Sequence, residues 1–511
     1  MVFAMRTKTQ CAWSTTIFSL LAFILLTVTV PSALTQTGPA RSAGSVKESR
    51  LELSSSDSRL AGSFNWAKKQ AMAFVFDGDP VGPWYEAAEP GRDAFCMRDV
   101  AHQALGAHAL GLARWNLNML RRFAENVSDS RDWCSFWELN RYNRPAPVDH
   151  RNDAEFWYNL PANFDILDCC YRMYVWSGDA AYVEDPVFLN FYDRTVNDYV
   201  ERWGLDLGEV MVRPRIMNVR GMPDAGKRFQ EARGIPGYDE EASEYVLGVD
   251  VLATQYDAYV AYASIQEIRG DAELAQKFRK KASDVRSLVN RDWWNEKEHC
   301  FFARLTKEHT LEGRSGMDLL YRDIVDDGPK IKSALKEVKE EALGSAEAIY
   351  RYGDPDTGYA KLIELTTPGV SRLEYPEISF SVIGTIVSGT MGITVQASSP
   401  VNALAEGNWT ATAVRTLSGL GRHVEWAEIR NLPVRANEIT VRHEGMHKTM
   451  LTNQHGPSLI WQPTFDGVHE KLLVNGKPVK VHSGKGPLDR NLSWVRVPVV
   501  GGATVTVEIP K

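Results

Sequence analysis

Apolar residues recur at helical spacing along most of the first 425 residues of this chain. They stand at positions i, i+3, i+4 and i+7, which is the pattern of a helix that buries one face. This pattern predicts helices over residues 98–112, 116–127, 160–177, 185–203, 246–269, 271–294 and 317–342, the last broken at Gly328-Pro329. The first six segments fall into consecutive pairs, so we expect a series of helical hairpins.

The predicted hairpins share one kind of turn. Gly178-Asp179, Gly270-Asp271 and Gly353-Asp354 each end one predicted helix and begin the next. Glycine provides a left-handed C-cap, and aspartate accepts the free N–H groups of the following helix. The three turns are spaced too widely for the common short solenoid repeats. We therefore expect the hairpins to close into a ring.

The pattern changes after about residue 425, where apolar and polar residues alternate. Such alternation is typical of strands that bury one face. It is clear over residues 437–443 and 503–509, and Asn475-Gly476 suits a hairpin turn between strands. Residues 426–511 are therefore predicted to form a small C-terminal antiparallel β-sandwich, which follows a helical domain of residues 61–425.

The N-terminus has the features of a signal peptide. Arg6 and Lys8 precede an apolar run over residues 17–30, and small residues follow it. We therefore expect residues 1–35 to be cleaved and the protein to be exported, to the periplasm or out of the cell; a retained signal anchor is the alternative. Residues 36–60 are rich in serine, glycine and charge, which predicts a flexible leader.

Charge and cysteine content exclude several classes of function. The net charge is −7 and no block of lysine or arginine stands out, so nucleic acid is not an expected partner. Five of the six cysteines remain after cleavage, and an odd number at irregular spacing does not fit a disulfide framework. Cys169 and Cys170 are expected in the core. The chain has no CxxC pair, dinucleotide fingerprint or P-loop, and we expect neither a metal nor a cofactor.

Three short segments, far apart in the chain, place carboxylates where a loop enters an apolar helix. They are Phe95–Asp99, Tyr238–Glu241 and Tyr375–Glu377. Two opposed carboxyl groups in one pocket are what glycoside hydrolysis requires. Each segment also has a structural explanation, because an acidic residue in a first turn stabilises the helix dipole. That explanation does not account for Arg98, whose forked donors beside Asp99 suit sugar hydroxyls.

The three segments resemble those of the six-hairpin (α/α)6 glycosidases, the superfamily of glucoamylases, trehalases and bacterial α-L-rhamnosidases. Phe95–Asp99 is similar to the segment with which glucoamylase-like enzymes hold the terminal sugar, Tyr238–Glu241 to their Glu-Glu segment, and Pro376-Glu377 to the segment that bears the general base. A helical body followed by a short β domain is more like the rhamnosidase branch. The resemblance implies a mainly α fold, an (α/α)6 toroid of helical hairpins followed by an antiparallel β-sandwich.

The resemblance also implies roles for individual residues. Glu240 would be the general acid, Glu377 the general base, and the substrate-binding residues would be Arg98, Asp99, Glu241, Tyr238 and Tyr375. Glu241 is the alternative general acid. These roles belong to an exo-acting, inverting glycoside hydrolase that needs no metal and releases a terminal sugar from an oligo- or polysaccharide.

Three other functions stay open at this point. If Arg98 binds a substrate carboxylate, the enzyme is a uronate-specific hydrolase. A polysaccharide lyase on the same toroid would draw its base and its neutralising group from His102, His150, Tyr142 and Arg144. A chain with an inactive site would be a non-catalytic carbohydrate-binding protein.

Overall fold

The computed structural model describes residues 48–214, 234–239, 245–326, 328–338, 344–370, 373–396 and 412–510. Within these residues the helices are α1 Ser58–Ala73, α2 Met97–Ala109, α3 Ala113–Glu125, α4 Ala162–Ser177, α5 Ala181–Glu184, α6 Pro186–Arg194, α7 Val200–Arg202, α8 Val249–Ile268, α9 Ala272–Asp292, α10 Met317–Tyr321, α11 Pro329–Val338, α12 Ser345–Arg351, α13 Pro355–Glu364 and α14 Pro376–Thr385. Two π-helical turns, Thr195–Tyr199 and Ile386–Thr390, extend α6 and α14.

Short strands connect the helices, and longer strands follow them. The strands are β1 Glu52–Ser55, β2 Val75–Phe76, β3 Trp84–Tyr85, β4 Ala94–Cys96, β5 Glu138–Asn140, β6 His150–Asn152, β7 Glu155–Phe156, β8 Tyr245–Gly248, β9 Trp294–Asn295, β10 Cys300–Phe301, β11 Arg304–Thr306, β12 Leu311–Glu312, β13 Ile393–Gln396, β14 Ala413–Leu417, β15 Trp426–Val434, β16 Asn437–Glu444, β17 Lys448–His455, β18 Leu459–Asp466, β19 Lys471–Val474, β20 Lys477–Lys480, β21 His482–Lys485, β22 Asn491–Trp494, β23 Val497–Val499 and β24 Thr504–Glu508.

Six helices contact one another in turn and close a ring. α2 contacts α4, α4 contacts α8, α8 contacts α10, and α10 contacts α12. α12 then contacts the π-helical turn that extends α14, and α14 packs against α2. A second group packs against this ring: α1 on α14, α3 on α2 and α4, α9 on α8, α11 on α10 and α12, and α13 on α12. α8 is buried over most of its surface whereas α9 buries one face, as inner and outer helices should.

The predicted Gly-Asp turns are confirmed. Gly178, Gly270 and Gly353 have φ angles of 71°, 85° and 87°, the left-handed conformation of a helix C-cap. Asp271 and Asp354 each accept a hydrogen bond from the backbone N–H group three residues further on. Local turn chemistry therefore ends three of the ring helices and starts the segments that follow them.

Three predicted helices differ from those in the structure, and the one expected over residues 317–342 ends as α10 at Tyr321, before the predicted break, and resumes as α11 at Pro329. The helix expected over residues 185–203 changes at Thr195 into a π-helical turn before it resumes as α7. The helix expected from residue 246 begins at Val249, because residues 245–248 form β8, which pairs with β11. An apolar run enters a helix or a strand equally well, so the hydrogen-bonding partner decides where this helix starts.

Two sheets occupy the C-terminal region. Seven strands in the order β1-β15-β16-β17-β24-β19-β20 form one sheet, which is antiparallel throughout. The order of the other is β13-β14-β18-β22-β21, with β23 also paired to β18, and its β14–β18 pair is parallel. Along β16 buried residues such as Ile439 and Val441 alternate with half-buried ones. The predicted C-terminal antiparallel sheet is confirmed, with one parallel pair that the sequence did not predict.

A flexible leader was expected over residues 36–60. For residues 48–60, which the structure describes, this expectation is wrong. Residues 52–55 form β1, which pairs with β15 and places Leu53 opposite Ile429. Leu51 and Leu53 are buried although serines surround them in the sequence. Composition predicted flexibility, but Leu53 in this short strand and Leu51 directly before it bury enough apolar surface to fix the segment. β1, β13 and β14 thus join sheets whose other strands lie within residues 426–511.

The predicted signal peptide, residues 1–35, lies outside the described residues and stays a prediction, as does export. In the part of the chain that the structure describes, no helix combines the length and the apolar character that a membrane span requires. The five cysteines in that part are buried and unpaired. Cys169 and Cys170 lie in the core of α4, which confirms their predicted role in packing.

Candidate active site

β4 leads Arg98 and Asp99 to the start of α2. β4 pairs with β5, and the N–H group of Met97 donates to the carbonyl oxygen of Trp137 at 3.0 Å. These bonds fix the chain where α2 begins. Asp99 falls in the first turn of α2, where the helix dipole favours a carboxylate, and it is buried.

Glu377 enters the same region from α14. Pro376 occupies the first position of this helix, where its missing N–H group costs nothing. Glu377 follows in the first turn and is buried. Its Oε1 lies 3.0 Å from Nδ1 of His102, which stands one turn along α2 from Asp99. This hydrogen bond sets the orientation of the Glu377 carboxyl group.

Two glycines explain the close approach of α2 and α14. A Cβ atom on Gly106 of α2 would overlap the backbone carbonyl group of Phe380 in α14. A Cβ atom on Gly384 of α14 would lie 3.4 Å from the backbone nitrogen of Gly106. Only a residue without a side chain permits the first of these contacts. The close packing holds Glu377 against the first two turns of α2.

Asp99 and Glu377 share one electrostatic environment. Burial raises the pKa of Asp99 to about 7, and the nearby Glu377 carboxylate adds to the rise. Arg98 acts in the opposite direction, with its Nε 3.6 Å from Asp99 Oδ1. A carboxyl group whose pKa is near neutrality can donate or accept a hydrogen bond at the pH of most cells.

Arg98 lies between two aromatic rings. Its guanidinium carbon is 5.3 Å from the centroid of the Tyr238 ring and 5.7 Å from that of Trp137, within the range of cation–π attraction. Tyr238 is itself held in place, because its N–H group donates to Asp250 and its hydroxyl group to Asp165. The Arg98 side chain remains 24% exposed, so a ligand can reach its forked donors.

The structure brings together Arg98, Asp99, Tyr238 and Glu377, four of the residues predicted to form the site. Tyr375 is the residue directly before α14 and is half-buried. The two glutamates of the predicted acid segment, Glu240 and Glu241, lie outside the described residues. Their roles stay predictions.

Two aspartates of this region were not predicted as site residues. Asp250 is in the first turn of α8 and Asp318 in the first turn of α10. Burial, and then the charge of Asp318, raises the pKa of Asp250 to about 8. Burial also raises the pKa of Asp318, against the opposing charges of Arg322 and His102. Their position in a first turn was the sequence signal that could have indicated them, because every helix of the ring carries an acidic residue in its first turn.

Arg322 neutralises a buried acidic cluster next to this site. It pairs with Asp165, with Asp257 at 3.3 Å and with Asp168 at 3.6 Å. Burial raises the pKa of Asp257 well above its usual range, and the Asp168 charge adds to the rise. Asp165 also accepts the hydroxyl group of Tyr238. The cluster is thus connected, through Tyr238, to the ring that packs on Arg98.

A cavity of about 760 Å³ lies within the ring of helices. His102, Tyr321 and Arg322 form part of its wall, together with residues of β13, β14 and β18. Among the described residues that line it, Asp99 and Glu377 are absent. The cavity therefore begins one turn beyond the two carboxylates, on the side of the sheets.

One motif in the sequence matches a metal site in its pattern but not in its structure. Residues 443–447 read His-Glu-Gly-Met-His, which matches the HExxH pattern of helical zinc sites. They lie at the hairpin between β16 and β17, so the two histidines do not share a helix face. His443 is buried and bonds Thr449 and the carbonyl oxygen of Met391, whereas His447 is exposed. Within the described ranges, no three His, Cys, Asp or Glu side chains group as metal ligands would.

Comparison with known proteins identifies structures of similar fold. No family model matches this sequence, and no curated protein matches it. Solved structures do match. An α-L-rhamnosidase from Dictyoglumus thermophilum has a TM-score of 0.54 at 13% identity, over 91% of this chain and 51% of that chain. The α-L-rhamnosidase from Aspergillus terreus has a TM-score of 0.53 at 12% identity, over 89% and 50%. A GH78 family rhamnosidase of Bacillus sp. GL1 has a TM-score of 0.53 at 11% identity, over 80% and 41%.

At these identities the likeness shows the fold. This chain has a six-hairpin glycosidase-like fold, as the sequence motifs predicted. The chain spans about half the length of these solved proteins, or less.

Proposed function

We propose that this chain is an exo-acting glycoside hydrolase that releases a terminal sugar from an oligo- or polysaccharide with inversion of configuration. One observation carries the proposal. Glu377 is a buried carboxylate, bonded to His102 and close to Asp99 and Arg98. Buried carboxyl groups beside donors for sugar hydroxyls are the equipment of glycoside hydrolysis. The shared fold with α-L-rhamnosidases supports this reaction class, and carbohydrate is the substrate it implies.

We infer that the six contacting helices are the inner barrel of an (α/α)6 toroid. The closed order of contacts supports this, and so does the second group of helices packed against the ring. An acidic residue in the first turn of each ring helix is a further argument, because helix N-termini favour negative charge. A pocket surrounded by such N-termini tolerates several carboxylates at once.

In the proposed reaction Glu377 is the general base and Glu240 the general acid, with Glu241 as the alternative acid. Glu377 takes a proton from a water molecule whose oxygen attacks the anomeric carbon. The acid gives its proton to the glycosidic oxygen, which leaves with the electrons of the broken C–O bond. The bond forms on one face of the sugar and breaks on the other, so the configuration inverts. This geometry needs about 6.5–9.5 Å between the two carboxyl groups.

The other residues of the site would bind the sugar. Arg98 supplies forked donors, and the rings of Tyr238 and Trp137 lie within cation–π distance of its guanidinium group. Asp99, with its raised pKa, can donate to or accept from a hydroxyl group. Glu241 and Tyr375 complete the set that the sequence resemblance implies. His102 is a positioning residue, since its hydrogen bond to Oε1 orients the Glu377 carboxyl group.

Arg98 also supports a substrate that carries a carboxylate, because guanidinium binds carboxylate in a forked pair. A uronate-specific hydrolase is therefore the second candidate. A lyase is less well supported. Of its proposed residues, His102 bonds Glu377, but His150 bonds Asp153 at 3.2 Å and Tyr142 is 56% exposed.

The test is a screen of aryl glycosides and of plant and algal oligosaccharides, neutral and uronate-containing, with the anomer of the first product read by NMR. We expect a released monosaccharide of inverted configuration. A retained configuration contradicts the water-activating role of Glu377. Internal cleavage contradicts exo-action, and unsaturated products that absorb in the near ultraviolet identify a lyase. Oligosaccharide binding without any product identifies a carbohydrate-binding protein.

Arg98→Lys should lower kcat/KM by about 10- to 100-fold on the best substrate from that screen. Lysine keeps the charge but loses the planar fork and the stacking between two rings, and hydrogen bonds from charged donors contribute about 1.5–3 kcal/mol each. Steady-state kinetics measures the effect. Arg291→Lys is the matched control, because Arg291 is 71% exposed and should leave the kinetics unchanged. Wild-type kinetics for the Arg98 variant would remove Arg98 from the substrate site.

A further inference from the structure

Arg415 is a half-buried arginine that forms no ion pair with the residues the structure describes. It lies in β14, between Thr394 of β13 and Gln462 of β18. Its Nε is buried and has no hydrogen-bond acceptor, and among the described residues the side chain forms no ion pair. A buried donor that loses water without gaining a partner costs free energy, and a charged donor costs more. A bound anion would therefore stabilise this side chain.

A second arginine adds to the positive charge. Arg490 packs against Gly353, where a Cβ atom would overlap its guanidinium group. It pairs with Asp466 at 3.0 Å, on the surface. Burial lowers the pKa of Arg415, and the charge of Arg490 lowers it further. The two guanidinium groups thus repel each other across the space between them.

That space is a cavity of about 180 Å³ between α12, the π-helical turn after α14, and strands β13 and β14. Arg351, Arg415 and Arg490 line it, and Glu347 is the acidic residue among its described lining residues. Most of the remaining wall is small or hydroxylic, and Tyr350, Pro355 and Leu417 complete it: the small and hydroxylic residues are Gly353, Gly389, Gly392, Gly419, Ser388, Thr394 and Ser418. Packing alone explains Gly392 and Gly419, whose Cβ atoms would overlap backbone carbonyl groups. Packing does not explain an unpaired arginine.

We propose that this cavity is a binding site for a small tetrahedral oxyanion, phosphate or sulfate, either free or as an ester on a carbohydrate. The guanidinium group of Arg415 offers a forked pair of N–H donors that matches two oxygens, whereas Arg490, whose Nε and Nη2 face Asp466, adds positive charge and the N–H groups of its Nη1. Thr394 offers a hydroxyl donor for another oxygen, whereas the hydroxyl groups of Ser388 and Ser418 already donate to the carbonyl oxygens of Gly384 and Gly445. A bound dianion would neutralise the charge of Arg415 and remove the repulsion between the arginines.

This site is separate from the catalytic region. Glu377 is in the first turn of α14, whereas Ser388 is in the π-helical turn that extends its other end. Eleven residues of helix span roughly 16 Å. The proposed oxyanion site therefore does not depend on the glycosidase proposal, and either can fail without the other.

The test is the midpoint of thermal unfolding of the full chain against rising concentrations of sodium phosphate and sodium sulfate, with ionic strength held constant by sodium chloride. A ligand that binds the folded state alone raises the midpoint with concentration. We expect this rise for the wild type, and at least a tenfold weaker apparent affinity for Arg415→Met. Arg422→Met is the matched control, because it removes the same charge from a 78% exposed side chain and should respond as the wild type does.

A second variant and a pair of ester ligands complete the experiment. Arg415→Lys keeps the charge without the fork and should also bind at least tenfold more weakly, which covers the case in which the methionine variant does not fold. Glucose 6-phosphate and glucose 6-sulfate distinguish the sources: tighter binding of an ester than of its inorganic ion assigns the site to a substituted carbohydrate, and the reverse assigns it to the free ion. An equal rise in the wild type and both Arg415 variants, or no rise in the wild type, overturns the proposal.

Discussion

Glu377→Gln should lower kcat by about 10²- to 10⁴-fold, the range that a general base contributes, and leave the fold intact. Glutamine has nearly the shape of glutamate and can still bond His102, but it cannot accept a proton from water. Because Glu377 is buried and bonded through Oε1, the substitution changes the chemistry of the site without opening a cavity. Steady-state kinetics and far-ultraviolet circular dichroism together measure both parts of this expectation.

The matched control is Glu374→Gln. Glu374 stands three residues earlier, in the turn before α14, and is exposed, so it carries the same change outside the site. It should retain the wild-type rate. If the Glu377 variant also keeps that rate, Glu377 is not the base. Azide or formate should restore turnover to the Glu377→Ala variant, because a small anion can occupy the position of the lost carboxylate. Such a rescue would show that the missing group is a base.

Arg322→Met should destabilise the folded chain by about 3–5 kcal/mol, the cost of removing one partner from a buried ion pair. Asp165, Asp168 and Asp257 would lose their shared cation and remain in a medium that solvates charge poorly. The variant should also lose affinity for substrate, since Asp165 orients Tyr238. Urea unfolding gives the change in free energy.

The destabilisation should depend on pH with a definite sign. Without Arg322 the pKa of Asp257, already raised, rises further, so the folded variant binds protons that the unfolded chain releases. A carboxyl group whose pKa is higher in the folded chain than in the unfolded chain lowers the free energy of unfolding as the pH rises above its unfolded-state pKa of 3.8. The loss caused by Arg322→Met should therefore be larger at pH 8 than at pH 5.

The control for this expectation is Arg314→Met. Arg314 pairs with Glu298 and Glu337 at the surface, where water screens the charges. It should leave the unfolding curve close to that of the wild type at both pH values. If Arg322→Met lowers the free energy of unfolding as little as the control does, or if its effect becomes smaller as the pH rises, the acidic cluster does not need its cation.

Local features of the sequence predicted much of the fold. The helical periodicity placed most ring helices, and Gly178, Gly270 and Gly353 marked their ends because glycine alone adopts the left-handed cap without cost. Strand alternation predicted the C-terminal sheets. β1 was missed, since a four-residue strand in a serine-rich stretch has too few apolar residues to stand out. Its stability comes from β15, some 370 residues further on, and no local window contains both.

The site was predicted only in part, for a related reason. Arg98 stood out because a helix dipole does not explain an arginine in a first turn. Asp250 and Asp318 did not, because an acidic residue at a helix start is fully explained by the dipole until the ring places them together. Trp137 reaches Arg98 through the pairing of β4 with β5. Contacts of this kind depend on the closed order of helices and strands, which short motifs do not contain.

The position of β1 has a consequence for any shortened form of this protein. β1 is the outermost strand of its sheet, and it covers the N–H and C=O groups of β15. A chain that starts at α1 would leave β15 as an open edge, and open edges pair with one another between molecules. Such a truncation would keep every residue of the candidate active site, yet it would favour self-association and precipitation during purification.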